Sequence, residues 1–238
     1  MENFKFKKKL GQNFLQDEKV LQRIVDSIEC SKYDCIVEIG PGHGALTKYL
    51  VKYNCPVIAF EIDKEVKPVL DKINADNLRV VYEDFMKVNV KEYLPDNYKN
   101  LYIIANIPYY ITTPILEKII AENLDEKSCT LMVQKEVADR FSAKCGSKEY
   151  GSVTVYLDYY YDIKKLFEVP RKAFYPVPNV DSAIIKLVRK EDKPKLDEDS
   201  FFKFVKSAFQ FKRKNLRNNL KNYDLEKINN VLVKYNHN

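Results

Sequence analysis

Short apolar runs alternate with amphipathic segments through most of the chain. The apolar runs predict strands at 34–39, 57–62, 78–82, 101–105 and 130–134. The segments between them have helical spacing and predict helices at 45–52, 64–73 and 114–122, with a further helix from Lys135. Strands that alternate with helices are typical of a parallel, doubly wound sheet, so we predict an α/β fold.

Two longer strand patterns follow, with no clear helix between them. We expect strands at 153–161 and 182–188, paired antiparallel at one edge of the sheet. For the helix at 114–122, Thr113 is the expected N-cap residue and Pro114 the expected first helical residue.

The polar segment 190–199 divides the chain. It is rich in charged residues and is the best candidate for a linker. Beyond it, apolar residues recur at helical spacing: Phe201, Phe202, Val205, Ala208 and Phe209. We therefore predict an α/β domain at 1–190 and a small, basic helical domain at 191–238.

Composition excludes several classes of protein. The 238 residues are 45% hydrophobic and 31% charged, which suits one large or two small globular domains. No apolar run is long enough to span a bilayer and the first residues lack the apolar part of a secretory signal, so we expect no membrane association. The five cysteines include no CxxC pair, which indicates reduced thiols in a cytoplasmic protein. With only two histidines the chain is a poor candidate for a zinc site, and we predict no bound metal.

The net charge of +6 is concentrated near the C-terminus. Residues 201–238 hold nine Lys or Arg against two Asp or Glu, so they carry the whole excess. A basic segment on a nearly neutral domain favours a polyanion such as nucleic acid, although a solvated lysine-rich helix face has the same composition. We expect phosphate contacts from two basic clusters: Lys212, Arg213, Lys214 and Arg217, and Lys5, Lys7, Lys8 and Lys9.

Three of the six glycines lie in one segment, 38–44, directly after the first predicted strand. Gly40, Gly42 and Gly44 allow a sharp turn and a close ligand approach in the crevice where doubly wound sheets bind nucleotides. Glu61 ends the next strand, where a carboxylate can accept hydrogen bonds from ribose hydroxyls. The spacing fits NAD as well as S-adenosylmethionine. The alternative is a tight turn that binds no ligand, with Glu61 solvated at the protein surface.

The third predicted strand ends in Glu83-Asp84-Phe85. A carboxylate at this edge of the sheet can accept a hydrogen bond from an adenine amino group, and Phe85 can offer an apolar wall. The alternative for Asp84 is a cap on the turn that follows. The sequence therefore predicts Asp84 as a second contact, beside Glu61, for a nucleotide ligand at this edge.

The most informative stretch is the tetrad Asn106-Ile107-Pro108-Tyr109, at the end of the fourth strand. The exocyclic amine of a base is a weak nucleophile because its lone pair is delocalised into the ring. The Asn106 side-chain carbonyl and the Ile107 backbone carbonyl, held extended before Pro108, can accept both N–H groups and favour a more nucleophilic nitrogen. Tyr109 can stack on the extracted base. The tetrad therefore indicates methyl transfer to a base amine, with a loop that holds a chance tyrosine as the alternative.

Five motifs in this order resemble the ribosomal RNA adenine N6-dimethyltransferases of the small-subunit (KsgA/RsmA) type. They are the segments 11–15 (GQNFL), 38–44 (EIGPGHG), 106–109 (NIPY), 134–138 (QKEVA) and 174–182 (FYPVPNVDS), and the similarity extends from about Lys8 to Leu220. The resemblance implies a class I S-adenosylmethionine-dependent methyltransferase. Such a fold is Rossmann-like, with a mainly parallel seven-stranded sheet, and here a small C-terminal helical domain follows it.

The resemblance also implies roles for individual residues. The cofactor would be held by the N-terminal segment and the strand ends: Asn13, Leu15, Gly40, Gly42, Glu61, Asp84 and Asn106. The catalytic residues would be those of the tetrad: Asn106, Pro108 and Tyr109. The target adenine would lie between Tyr109 and Phe174, and the RNA would bind to Lys212, Arg213 and Arg217. Only the resemblance points to Asn13 and Leu15.

By this resemblance the protein is a monomeric cytoplasmic enzyme that acts on the 16S rRNA of the small ribosomal subunit precursor. Two adjacent adenines near the 3′ end would each receive two methyl groups on N6. The erythromycin-resistance type, which methylates 23S rRNA, shares the tetrad and the glycine loop and is the alternative. An NAD-dependent oxidoreductase and a non-catalytic RNA-binding assembly factor are alternatives from other classes. Family members usually extend further at the C-terminus, so we expect a shortened C-terminal domain.

Overall fold

The structure, a computed structural model, describes residues 13–235. Its strands are β1 (Phe14–Leu15), β2 (Cys35–Ile39), β3 (Val57–Phe60), β4 (Leu78–Val81), β5 (Leu101–Asn106), β6 (Glu126–Gln134), β7 (Tyr161–Val169), β8 (Phe174–Tyr175) and β9 (Ser182–Arg189). β1 and β8 form a small antiparallel sheet, and the others form a seven-stranded sheet in the order β4-β3-β2-β5-β6-β9-β7. The predicted α/β class with a mainly parallel, seven-stranded sheet is confirmed.

The first five strands of that order run parallel, β9 pairs antiparallel with β6, and β7 pairs antiparallel with β9 at the edge, so that β9 runs opposite to the other strands of this sheet. β2 and β3 are buried along their whole length, which explains why their sequences, CIVEI and VIAF, are almost continuously apolar. The chain order reverses between β2 and β5, which creates the switch point where such sheets bind ligands. The carboxyl ends of β4, β3, β2 and β5 consequently lie side by side.

Helices cover both faces of the sheet. They are α1 (Glu18–Asp26), α2 (Thr47–Leu50), α3 (Lys67–Leu70), α4 (Thr112–Glu122), α5 (Lys135–Phe141), α6 (Ser152–Tyr160), α7 (Glu198–Ala208), α8 (Leu216–Asn219) and α9 (Leu225–Lys234). The predicted helices 45–52 and 64–73 are each divided, because 3-10 turns at Val51–Tyr53 and Lys64–Val66 adjoin α2 and α3. Within residues 13–235, no helix has the length and apolar character needed to cross a membrane.

The strand predicted at 153–161 is wrong, since most of this segment forms helix α6. The strand begins only at Tyr161, where the predicted one ends. The antiparallel pair at the sheet edge does exist, and β9 contributes to it as expected. Its partner is β7, however, so the pairing uses the residues that follow the predicted strand.

Local capping and tertiary packing explain why α6 is helical. The Thr154 hydroxyl accepts a hydrogen bond from the Gly151 N–H at 3.1 Å and donates to the Arg140 carbonyl at 2.8 Å. Thr154, Leu157 and Tyr160 share one helix face and are buried. The β-branched and aromatic residues of this segment favour strands locally, but burial of that face outweighs the local preference.

The predicted N-cap at Thr113 is also wrong. α4 begins at Thr112, directly after a 3-10 turn at Tyr109–Ile111, and Ile111 at the N-cap position makes no side-chain hydrogen bond to the helix. Pro114 is therefore the third helical residue rather than the first. The chain passes from the tetrad into α4 without a loop, so the buried helix fixes the position of the tetrad.

Helix α7 connects the C-terminal helices to the rest of the fold. Its Phe202 packs against Tyr156, Tyr159 and Tyr160, with ring centroids 4.8, 5.3 and 5.9 Å away. Phe204 of the same helix instead contacts Tyr223 at 5.2 Å, between α8 and α9. α7 thus contributes to two apolar clusters, and the division of the chain at residue 190 stays a prediction.

Candidate active site

A cavity of about 1000 Å³ opens at the carboxyl ends of the parallel strands. Gly40, Glu61 and Asp84 follow β2, β3 and β4, and Asn106 ends β5. These four strands are neighbours in the sheet, so the four residues line one wall in the order Asp84, Glu61, Gly40, Asn106. The structure thereby brings together strand-end residues that the sequence spreads over a long stretch of chain.

The glycine loop packs closely against the tetrad. Gly40 has φ +72°, and a Cβ built on it would lie 3.3 Å from Cγ2 of Ile107. A Cβ on Gly42, which also has a positive φ, would lie 3.0 Å from Cε1 of Phe14. Any larger residue would therefore strain the backbone and push against the neighbouring segment. Because these glycines have no side chains, the backbone can pack against Ile107 and Phe14 on one side and face the cavity on the other.

The Glu61 carboxylate is held in place by backbone donors. It accepts hydrogen bonds from the Gly42 N–H at 2.9 Å and the Asp63 N–H at 2.8 Å. Burial raises the pKa of Glu61, and the two N–H donors act in the opposite direction. Glu61 thus links the loop after β2 to the end of β3, and it is buried rather than solvated.

Glu38 lies in the cavity wall, although the sequence did not suggest a role for it. It is fully buried in β2 and accepts a hydrogen bond from the Thr47 hydroxyl at 2.7 Å. Burial raises the pKa of its carboxyl to about 7, with a smaller contribution in the same direction from Glu61. The available signal was a single charged residue inside the otherwise apolar strand CIVEI.

Asp84 combines two expected features. Its carboxylate accepts a hydrogen bond from the Met86 N–H at 3.0 Å, so it does cap the turn after β4. The same residue lines the cavity beside Phe85. The turn cap and a ligand contact therefore do not exclude one another.

The tetrad continues this wall beyond the glycine loop, and all four of its residues line the cavity. Within residues 13–235, the side-chain amide of Asn106 has no hydrogen-bond partner, so it can bind a ligand in the cavity. The Tyr109 hydroxyl hydrogen-bonds to Ser182 Oγ at 2.7 Å. Ser182 is fully buried at the start of β9, and the bond fixes one end of the Tyr109 ring. The sequence does not point to Ser182 in this role because the two residues are far apart in the chain.

The small sheet closes the cavity on a further side. In it, Leu15 is opposite Phe174, and Asn13, Leu15 and Phe174 all line the cavity. The Phe14 ring stacks on His43 of the glycine loop, with centroids 4.1 Å apart. The N-terminal segment is thus attached both to the glycine loop and to the strand that carries Phe174.

The predicted RNA-binding residues of the C-terminal region lie outside this cavity. Lys212, Arg213 and Arg217 are exposed in and after the turn between α7 and α8. Asn219 holds this turn: its side-chain amide donates to the backbone carbonyl of Lys214 at 3.1 Å, and its carbonyl accepts from the Phe211 N–H at 2.8 Å. The N-terminal basic cluster, Lys5, Lys7, Lys8 and Lys9, lies outside the described residues.

The charge of the cavity favours one class of ligand. Five described carboxyl groups line it: Glu18, Glu38, Glu61, Glu83 and Asp84. With its pKa of about 7, Glu38 carries only part of a negative charge at neutral pH. Lys48 is the one lysine or arginine among the described lining residues, and burial lowers the pKa of His43, which disfavours the charged form of its imidazole. Such a wall repels a pyrophosphate and attracts a ligand with positive charge. The cavity therefore disfavours the NAD alternative.

Comparison with known proteins agrees with this geometry. The family model for "Ribosomal RNA adenine dimethylase" matches residues 3–236. The chain belongs to this family.

Curated relatives of this dimethylase carry one recurrent name. The "Ribosomal RNA small subunit methyltransferase A" of Mycoplasma mobile is 47% identical over 97% of this chain and 89% of its own length. The protein of that name from Streptococcus sanguinis is 47% identical over 92% of this chain and 78% of its own length. These relatives support a methyltransferase activity for the dimethylase, and the chain covers most of the length of each of them.

Solved structures related to the dimethylase share its fold. A dimethyladenosine transferase from Plasmodium falciparum is 30% identical, with a TM-score of 0.77 over 87% of this chain and 74% of that one. The 23S rRNA methyltransferase ErmE is 26% identical, with a TM-score of 0.78 over 95% of this chain and 91% of that one. The class I methyltransferase fold is thus confirmed, and the resistance-type enzyme is a structural neighbour.

Glu38 gives the dimethylase a specific dependence of stability on pH. Its carboxyl binds a proton more tightly when folded, with a pKa of about 7 against an ordinary value of 4.5. The free energy of unfolding should therefore fall as the pH rises through this window, by about 1–3 kcal/mol from this group. Glu38→Gln should remove that fall while Glu61 and Glu126, whose pKa values are also raised, titrate as before. Urea unfolding at pH 5 and pH 8 measures the difference, and parallel curves for the two proteins would contradict the assignment.

Proposed function

We propose that this dimethylase methylates N6 of two adjacent adenines near the 3′ end of 16S rRNA, in the precursor of the small ribosomal subunit. The observation that carries the proposal is the Asn106 amide, which shares one cavity with buried carboxylates and two aromatic side chains. The curated relatives, named for the small subunit and 47% identical, direct the proposal to that RNA. The less similar ErmE makes 23S rRNA the alternative outcome of the test.

The cavity suits S-adenosylmethionine as cofactor. Three observations support this: the acidic wall, the glycine at the close approach to Ile107, and the backbone-held carboxylate of Glu61. The residues that would hold the cofactor are those predicted: Asn13, Leu15, Gly40, Gly42, Glu61, Asp84 and Asn106. When bound, the cofactor supplies an electrophilic methyl group on a cationic sulfur. Glu61 would accept from ribose hydroxyls and Asp84 from the adenine amine.

The tetrad would hold the target amine. The Asn106 side-chain carbonyl and the Ile107 backbone carbonyl would accept its two N–H groups, which reduces delocalisation of the nitrogen lone pair into the ring. Pro108 fixes this backbone direction, and Tyr109 and Phe174 would hold the two faces of the base. No side chain needs to act as a base first, because the nitrogen becomes acidic only once methylated and can then lose its proton to water. A pocket that grips the faces leaves N6 free to rotate for a second methylation.

The C-terminal region would bind the RNA backbone. Lys212 and Arg213 are exposed on a turn whose backbone Asn219 fixes, and Arg217 is exposed in α8, which follows the turn. We include residues 191–238 in the proposal as a small RNA-contacting domain. Within residues 13–235 these three side chains have no ion-pair partner, so their charge is available to phosphates. The enzyme is further proposed to act as a monomer in the cytoplasm.

Methyl transfer to ribosomal particles tests the proposed function. Particles that lack the modification are treated with the protein and S-adenosylmethionine, and primer extension maps the products, since a dimethylated adenine cannot pair and stops the polymerase. We expect stops at two adjacent adenines near the 3′ end of the small-subunit RNA. Stops in 23S rRNA alone would replace the proposal by the resistance-type activity, and transfer to neither RNA would favour a non-catalytic role.

Asn106→Ala should separate catalysis from binding. The amide positions the amine in the transition state, so its loss should slow single-turnover methyl transfer by about 100-fold or more and change RNA affinity little. Asn97→Ala, at an exposed site before β5, serves as the matched control and should retain the wild-type rate. A rate for Asn106→Ala equal to that of wild type would show that the tetrad does not act as proposed.

Neutralising the basic turn should reduce the salt dependence of RNA binding. The double variant Lys212→Gln, Arg213→Gln should lower the slope of log K against log salt by about 0.7–0.9 for each phosphate that the turn no longer binds. The control for net charge is the double variant Lys32→Gln, Lys99→Gln. Both lysines are exposed at the amino ends of the strands. If both double variants keep the wild-type slope, the turn is a solvated surface.

A further inference from the structure

We infer that Tyr110 and Tyr175 form a second stacking surface, at the mouth of the cavity, for the RNA nucleotides next to the target adenine. The inference rests on the proposed function and adds a contact to it. The two aromatic residues assigned to the target base are each followed in sequence by a tyrosine, in Tyr109-Tyr110 and Phe174-Tyr175. The cavity is therefore bordered by two aromatic doublets.

Each doublet has an inner and an outer member. Phe174 is only 4% exposed whereas Tyr175 is 52% exposed, because successive residues of strand β8 point to opposite sides. Tyr109 is partly buried and bonded to Ser182, whereas Tyr110 is 68% exposed. All four residues nevertheless border the same cavity. The outer pair is thus continuous with the inner pair and lies nearer to solvent.

The backbone beneath the outer tyrosines is well fixed. Tyr110 belongs to the 3-10 turn that leads directly into α4, closed by the Ile111 N–H donating to the Pro108 carbonyl at 3.2 Å. Tyr175 pairs with Phe14 across the small sheet. Exposed aromatic rings on a fixed backbone lose little conformational freedom when they bind a flat partner.

A nucleic acid is the partner that fits this surface. Extraction of one adenine from a strand leaves its neighbours without a stacking partner, and an aromatic ring can replace the missing stack regardless of sequence. Arg171 and Lys172 are exposed in the turn just before Phe174, and neither has an ion-pair partner within residues 13–235. The exposed rings can stack on the bases of a single-stranded nucleic acid, and the positive charge beside them can bind its phosphates. Where two adjacent adenines are modified, the one not in the pocket would stack here.

Alanine and phenylalanine variants at both positions test the surface. With small-subunit particles, Tyr110→Ala and Tyr175→Ala should each raise KM, and the RNA Kd measured without cofactor, by about 10-fold, the size expected when one stacked base is released. kcat and the salt slope should stay near wild type, because stacking involves no phosphate. Tyr110→Phe and Tyr175→Phe should restore wild-type values, since the ring remains. Tyr33→Ala is the control, at a tyrosine that is 66% exposed just before β2, at the opposite edge of the sheet.

The outcomes separate the inference from the proposed function. Wild-type protein that methylates no ribosomal RNA defeats the proposed function, whatever the tyrosine variants do. Alanine variants within twofold of wild type in Kd and KM, or phenylalanine variants that fail to rescue, overturn the stacking surface while the activity stands. A loss of particle binding with unchanged binding to naked 16S rRNA also overturns it, since the partner would then be a ribosomal protein. Melting temperatures identify any misfolded variant, and Tyr110→Ala, at the more exposed site, decides the result if Tyr175→Ala fails to fold.

Discussion

The site depends on the close approach of two backbone turns, one at Gly40 and one at Ile107. β2 and β5 pair in parallel with Ile39 opposite Ala105, so the turns that follow them leave the sheet side by side. The space between them holds no side chain larger than hydrogen at Gly40. The wall proposed for the cofactor and the tetrad proposed for the base are therefore parts of one packed unit. A shift in either turn would move the other.

Much of this arrangement could be predicted from strand ends alone. In a parallel sheet the residues just after each strand gather at one edge, so Gly40, Glu61, Asp84 and Asn106 had to be close once their strands were placed. The apolar runs that mark these strands are strong signals because parallel strands are buried on both faces. The predicted contact residues at this edge consequently all line the cavity.

The features that sequence analysis missed depend on distant contacts. The strand predicted at 153–161 is helix α6 because Leu157 and Tyr160 are buried by the surrounding fold, which local propensity does not register. Ser182 could not be connected to Tyr109 without the register of β9 against β6. Glu38 stands out in the sequence as the one charged residue of an apolar strand, but its raised pKa depends on burial by the surrounding fold. Asn13 and Leu15 reach the cavity only through the small sheet, and only the family resemblance indicated them.

The small sheet also affects how the cavity can be made. β1 precedes the parallel strands in the chain, while its partner β8 follows all of them. Contacts between such distant segments are slow to form, because a long loop must close before they contribute any stability. The parallel core can assemble from the residues between them, but Leu15 has no strand partner in this small sheet until Phe174 has been synthesised. A nascent chain therefore has its acidic wall before its closing strand, and the binding cavity is complete only once β8 has been synthesised.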